Sequence, residues 1–139
     1  MELEHFFYPR SVAIVGASSK KGKVGYEILT AMIKGGYEGE IFPVNPNHPE
    51  IQGLKAYPNL MEIGTTPDLV LIVIAAKLVE EVMRDCAALK VPAVVIISSG
   101  FKEECEEGAH LEEKIMRIAR RAGILVIGPN CLGLMCTSS

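Results

Sequence analysis

Glycines, lysines and small hydroxyl residues at one spacing carry the strongest chemical signal in this chain. Gly16 is followed by Ala17, Ser18, Ser19, Lys20 and Lys21, then by Gly22, Lys23, Val24 and Gly25. An apolar run, Val12 to Val15, ends at Gly16, and an apolar pattern at helical spacing follows Gly25. A strand, a glycine loop and a helix in that order aim backbone N–H groups and the positive end of a helix at one spot, which favours a phosphate. Lys20, Lys21 and Lys23 add positive charge there. The spacing matches neither familiar phosphate loop. A dinucleotide fingerprint reads Gly-x-Gly-x-x-Gly, and a P-loop has four residues between its glycines followed by Gly-Lys-Ser/Thr. Here five residues separate Gly16 from Gly22, and Val24 stands where the P-loop hydroxyl would hold Mg²⁺. The bland alternative is a tight turn that binds nothing.

A second stretch, Val44-Asn45-Pro46-Asn47-His48-Pro49, follows the next apolar run. A nicotinamide-binding fold wants an acid at this place to grip the ribose hydroxyls. Asn45 between two prolines speaks against NAD, and the stiff loop suits the adenine end of another nucleotide. A plain proline-rich turn is the competing reading. Further along, Ser98-Ser99-Gly100-Phe101 and Gly128-Pro129-Asn130-Cys131-Leu132-Gly133 each end an apolar run. Cys131 as a nucleophile needs a helix N-terminus or a basic partner to lower its pKa. His5, His48 and His110 sit in a tail, a turn and a helix start and read as surface histidines.

The elements that position these loops alternate. Strands are expected at Ser11–Val15, Glu40–Val44, Asp68–Ala76, Ala93–Ser98 and Ile124–Ile127. Pro43 suggests an edge place for the second, or the last pleat of that strand. The third is the most apolar and reads as central. Helices are expected at Val24–Lys34, Leu78–Leu89 and Gly108–Ala122, with Val24, Ile28, Met32 and Ile33 as the buried stripe of the first. Residues 51–63 read as a connector with a short helix near its end. Alternation of this kind predicts an α/β fold: a Rossmann-like, doubly wound parallel sheet in three α/β/α layers. Right-handed crossovers then place every one of the loops above on one rim of the sheet.

Length and composition set the frame. At 139 residues, 49% of them hydrophobic, residues 1–139 make one domain with a proper core. A net charge of −3 speaks against non-specific nucleic-acid binding. Cys86, Cys105, Cys131 and Cys136 show no C-x-x-C spacing and read as reduced thiols of a cytoplasmic protein. The acidic start, Met-Glu-Leu-Glu-His, is not a signal peptide. The longest apolar run is too short for a membrane span.

Taken together, Val-Gly-Ala-Ser with Gly-Lys-Val-Gly, then Pro-Val-Asn-Pro, Ser-Ser-Gly-Phe and Gly-Pro-Asn-Cys-Leu-Gly resemble the CoA-binding domain of the ADP-forming acyl-CoA (acetyl-CoA) synthetases. These are relatives of the succinyl-CoA synthetase alpha subunit, and the resemblance spans essentially the whole chain. It implies coenzyme A lying extended along the rim. Gly16, Ala17, Ser18, Ser19, Lys20, Gly22, Lys23 and Val24 would hold the phosphates, and Val44, Asn45 and Pro46 would flank the adenosine. Ile74, Ala75, Ala76, Ser98, Ser99 and Gly100 would line the pantetheine path. Asn130 and Cys131 would lie near the thiol. The resemblance also implies partners: further domains, or an ATP-grasp subunit, of the same synthetase. Nothing here matches the surroundings of the family's phosphohistidine, so the chain by itself is expected to bind CoA without catalysis. Two positions depart from the family: Ala75 stands where proline is usual, and Asn47 where lysine is common. An NAD(P)-dependent oxidoreductase domain and a CoA-sensing module of a fused acetyltransferase are the rival readings.

Overall fold

The computed structural model describes residues 9–97 and 105–127. Its elements run β1 (Ser11–Val15), α1 (Val24–Lys34), β2 (Glu40–Val44), β3 (Glu50–Ile51), β4 (Leu54–Lys55), a 3-10 turn (Leu60–Ile63), β5 (Leu69–Ile72), α2 (Ala76–Leu89), β6 (Ala93–Ile96), α3 (Cys105–Ala122) and β7 (Leu125–Ile127). Five strands form one parallel sheet in the order β2-β1-β5-β6-β7. This is the predicted doubly wound α/β sheet.

The three inner strands β1, β5 and β6 are buried on both faces, so their residues divide by parity between two cores. Val12 and Ile14 pack with Ala17 and Leu29 on the α1 side. Ala13 and Val15 pack with Val70, Ile72, Val79, Met83 and Ile115 on the side of α2 and α3. The apolar β5 lies at the centre of the sheet, and β2, which carries Pro43, lies at an edge. Both positions match the sequence reading.

Helices α2 and α3 begin at Ala76 and Cys105, two and three residues before the expected Leu78 and Gly108, and three larger details differ from the sequence reading. The stripe of α1 is Gly25, Ile28, Leu29 and Met32; Val24 and Ile33 are 52% and 42% exposed. The helix approaches the sheet so closely at Gly25 that the stripe is centred one residue further along than apolar spacing alone indicates. β5 stops at Ile72, four residues short of the expected end, because helix α2 already begins at Ala76. The connector holds an antiparallel hairpin, β3 against β4. Its turn places Gln52 and Gly53 at positive φ (50° and 82°), the geometry of the tight turns that suit hairpins. Gln52 pins the hairpin to α1: its Oε1 accepts from Thr30 Oγ1 at 3.0 Å, and its Nε2 donates to the Tyr26 carbonyl at 3.3 Å.

Connections from β1 and β5 leave in opposite directions, β1 toward β2 and β5 toward β6. An open α/β sheet opens a crevice at the carboxyl ends of the strands where this happens. Here those ends are Val15 and Ile72.

Candidate functional site

The glycine loop leaves β1 at that switch point, and its conformation is forced by close approach. Gly16 has φ +96°, and a Cβ there would lie 2.1 Å from the Val73 carbonyl oxygen. A Cβ on Gly25 would lie 2.1 Å from the Gly16 carbonyl oxygen. Two glycines therefore let the first turn of α1 rest directly on the end of β1. Gly22, at φ +91°, has open space around it, and its positive φ shapes the turn. The Gly16 N–H donates to the Val44 carbonyl at 3.1 Å, and the Val73 N–H to the Val15 carbonyl at 2.7 Å, so the ends of β1, β2 and β5 are laced together.

The N-terminus of α1 is open. Lys23 is the N-cap residue and makes no side-chain capping bond. The first-turn N–H groups thus keep their donors for a ligand, the arrangement that binds phosphate. Ser19, Lys20, Lys21, Gly22, Lys23 and Val24 are exposed around them, and Ser18 is half-buried. Ser18 Oγ accepts from the Lys20 N–H at 3.0 Å, which tightens the turn. One acid sits nearby: Glu27 Oε2 accepts from the Gly22 N–H at 3.4 Å, a long bond on an exposed side chain.

Asn45 ties its own turn to the glycine loop and to the connector. Its Nδ2 donates to the Ala17 carbonyl at 2.9 Å, its Oδ1 accepts from the Asn47 N–H at 2.8 Å, and its own N–H donates to the Tyr57 carbonyl at 2.8 Å. The residue that replaces the ribose-gripping acid of nicotinamide folds is here a brace between β2 and the glycine loop.

A cleft of about 510 Å³ opens beside this brace. Gly16, Val44, Asn45, Pro46 and Ile74 line it, together with Pro58, Asn59 and Leu60 from the connector and Leu78, Glu81, Val82 and Asp85 from α2. The connector wall is a feature that sequence reasoning missed. It is held by pairing of Tyr57 alongside Val44, which local propensity does not reveal. Burial, aided by the neighbouring Glu81 charge, raises the Asp85 carboxyl above its ordinary range.

The structure thus gathers Gly16, Val44, Asn45, Pro46 and Ile74 around one cleft, with the lysine-bearing loop beside it. Ala75 is exposed as the N-cap of α2, and Ala76 opens that helix. Ser98, Ser99, Gly100, Asn130 and Cys131 lie outside the described residues. His48 and His110 are exposed, as expected of surface histidines, and His5 lies outside the described residues. Cys86 is a buried free thiol in the core, pushed up to about 12 chiefly by burial, and takes no part in the site. No described helix is long and apolar enough to cross a membrane.

Comparison with known proteins gives this geometry its family. The chain is 43% identical over 138 residues to acetate–CoA ligase [ADP-forming] II of Archaeoglobus fulgidus, covering 99% of this chain and 20% of that protein. It is 43% identical over 141 residues to the alpha subunit of acetate–CoA ligase [ADP-forming] I of Pyrococcus furiosus, covering 99% of this chain and 30% of the subunit. The fold superposes on the dinucleotide-forming acetyl-coenzyme A synthetase 1 of Ca. Korarchaeum cryptofilum, solved with phosphate and ADP, with a TM-score of 0.85 and 37% identity over 94% of this chain and 28% of that one. The chain therefore spans about a fifth to a third of the length of these relatives. The family model described as "CoA binding domain" matches residues 10–137. Nearly the whole chain, from the residue before β1 onward, thus belongs to the family of CoA-binding domains.

Proposed function

We propose that residues 1–139 form the CoA-binding domain of an ADP-forming acid–CoA ligase of the acetyl-CoA synthetase type, and that CoA lies extended along the rim. The observation that carries this reading is the open N-terminus of α1 above a loop bearing Lys20, Lys21 and Lys23, with Asn45 already committed to bracing that loop. Such a site offers donors and positive charge to a pyrophosphate but no acid to a nicotinamide ribose, which disfavours the NAD(P) alternative.

The cleft beside the loop supplies an apolar wall of Val44, Pro46, Ile74 and Leu78. In the proposed pose, residues 16–24 hold the pyrophosphate and residues 44–46 flank the adenosine. Residues 74–76 and 98–100 guide the pantetheine arm, and Asn130 and Cys131 stand near the thiol. Activation of the acid and phosphoryl transfer belong in this reading to further domains or an ATP-grasp subunit, as the three- to fivefold greater length of the relatives supports. The domain's own work is to bind, orient and present the thiol without catalysing a step alone. A cytoplasmic setting accompanies this reading.

Calorimetric titration of the chain with CoA, and with NADH in parallel, tests the proposal. Micromolar binding of CoA, about −8 kcal/mol, with none of NADH is the expected outcome. Binding of NADH in preference to CoA overturns it.

A further inference from the structure

Helices α2 and α3 meet at the surface in a groove of about 280 Å³ lined by Glu80, Arg84, Lys114, Arg117, Ile118 and Arg121. In a chain of net charge −3, four cations converge there on one acid. We infer that this groove docks an acidic helix of a partner protein.

Helical spacing makes the groove. Lys114, Arg117, Ile118 and Arg121 recur at three and four along α3 and so share one face. Glu80 and Arg84 stand one turn apart on α2. Ile118 is half-buried and packs against the core, which puts an apolar floor beneath a charged lip. The field of the groove acts on its own acid. The bond from Arg84, with the Lys114 charge across the groove, holds the Glu80 carboxyl below its ordinary range.

The groove already shows which group it takes. Arg84 Nη2 lies 2.8 Å from Glu80 Oε2, and Arg117 Nη2 lies 2.9 Å from Glu113 Oε1. Both arginines thus hold carboxylates, while Lys114 and Arg121 make no ion pair among the described residues. Those two cations remain for carboxylates from outside. They stand about 10 Å apart along α3, or roughly two helical turns. A helix laid along the groove presents carboxylates at the same interval.

A phosphate or a nucleic acid fits less well. Both walls are helix interior, where backbone N–H groups are spent on helix bonds, so no nest of free donors is offered to a phosphate. One groove in an acidic chain also lacks the broad basic face of a nucleic-acid binder. The groove is separate from the cleft: Leu78, Glu81, Val82 and Asp85 of α2 line the cleft, whereas Glu80 and Arg84 line the groove against α3. The inference therefore does not depend on CoA binding at the rim, although the further domains or subunit of the reading above give such a surface its use.

Fluorescence anisotropy of the whole chain with a labelled helical peptide, carrying glutamates two turns apart, provides the test. The same peptide with glutamines, inorganic phosphate and a single-stranded oligonucleotide are the comparison ligands. The acidic peptide is expected to bind and the glutamine peptide not to, with binding that weakens as salt rises through about 0.15 M, where the screening length is about 8 Å. The double variant Lys114→Glu, Arg121→Glu leaves both observed ion pairs in place. It should weaken the acidic peptide by about tenfold and leave CoA affinity as in the wild type. A wild type that binds both peptides equally, or neither, overturns the inference. So does an unchanged peptide affinity in the double variant, which would put the peptide on the lysines of the glycine loop. Displacement of the peptide by inorganic phosphate, or tighter oligonucleotide binding that the double variant loses, would make the ligand a phosphate and also overturns it. A parallel loss of CoA affinity in the double variant would show a general disturbance of the two helices and counts against it equally. Whether the wild type binds CoA decides the reading above alone.

Discussion

Replacing Gly25 with alanine sets two effects of opposite sign against each other. Gly25 lies within α1, where alanine is favoured over glycine by about 1 kcal/mol. Propensity alone predicts a more stable protein. The added Cβ, however, would fall 2.1 Å from the Gly16 carbonyl oxygen and 3.2 Å from the Ala17 Cα. Carbon approaches a carbonyl oxygen comfortably only at about 3.3–3.6 Å, so helix and strand must part by roughly 1 Å. Both partners are backbone, and neither can rotate aside. Leu29, fully buried one turn later, moves with the helix and opens the core around Val12 and Ile14. Overpacking of this kind costs about 1–3 kcal/mol, and here the upper end applies. The net expectation is a loss of about 2 kcal/mol, or a fall in Tm of roughly 6–8 °C for a chain of this size. Urea and thermal unfolding measure it. Gly22→Ala is the control: φ is +91° but the space is open, so only the left-handed backbone cost of about 1–2 kcal/mol applies, with no shift of α1. CoA affinity should fall in Gly25→Ala because the first-turn donors move with the helix. A Gly25→Ala protein as stable as the wild type, or more so, would refute the close-contact argument.

Two other outcomes follow from the same geometry. Asn45→Ala removes the bonds to Ala17 and Asn47 and leaves a carbonyl and an N–H without partners; a stability loss of about 1–3 kcal/mol and weaker CoA binding are expected, measured by urea unfolding and calorimetry, and a variant with unchanged CoA affinity contradicts the bracing role. Cys86 has its folded-state pKa raised to about 12 by burial. Above pH 9 the unfolded chain releases the thiol proton while the folded one keeps it, so this group's contribution to stability should fall by up to about 1.4 kcal/mol per pH unit between pH 9 and 12. Urea midpoints over that range, compared with Cys86→Ala or Cys86→Ser, check the slope; equal slopes in the variants count against it.

Strand periodicity and the glycine signals were legible at the level of residues. Continuous apolar runs at Ser11–Val15 and Leu69–Ile72 can be buried only between two layers of helix. Alternation of strand and helix therefore determined the parallel sheet, and with it the rim on which Gly16, Asn45 and Ala75 meet. Pro43 announced the edge strand because it cannot donate to a ladder. Local spacing does not say how deeply a helix seats, which is why Val24 and Ile33 were expected inside and Leu29 was not named. That was decided by the Gly16–Gly25 contact between two segments, visible only once both are folded. The connector wall is of the same kind. Pro58, Asn59 and Leu60 reach the site because Tyr57 pairs with Val44 across thirteen positions of chain, and nothing in its own neighbourhood records that pairing. Asn45 likewise was readable as the absence of an acid, while its work as a brace depends on where the Ala17 carbonyl comes to lie. The sequence alone determined which residue types are available to a phosphate and on which edge of the sheet they gather. Tertiary structure decided which of them remain free to bind it, because hydrogen-bond partners and close backbone contacts are assigned between segments far apart in the chain.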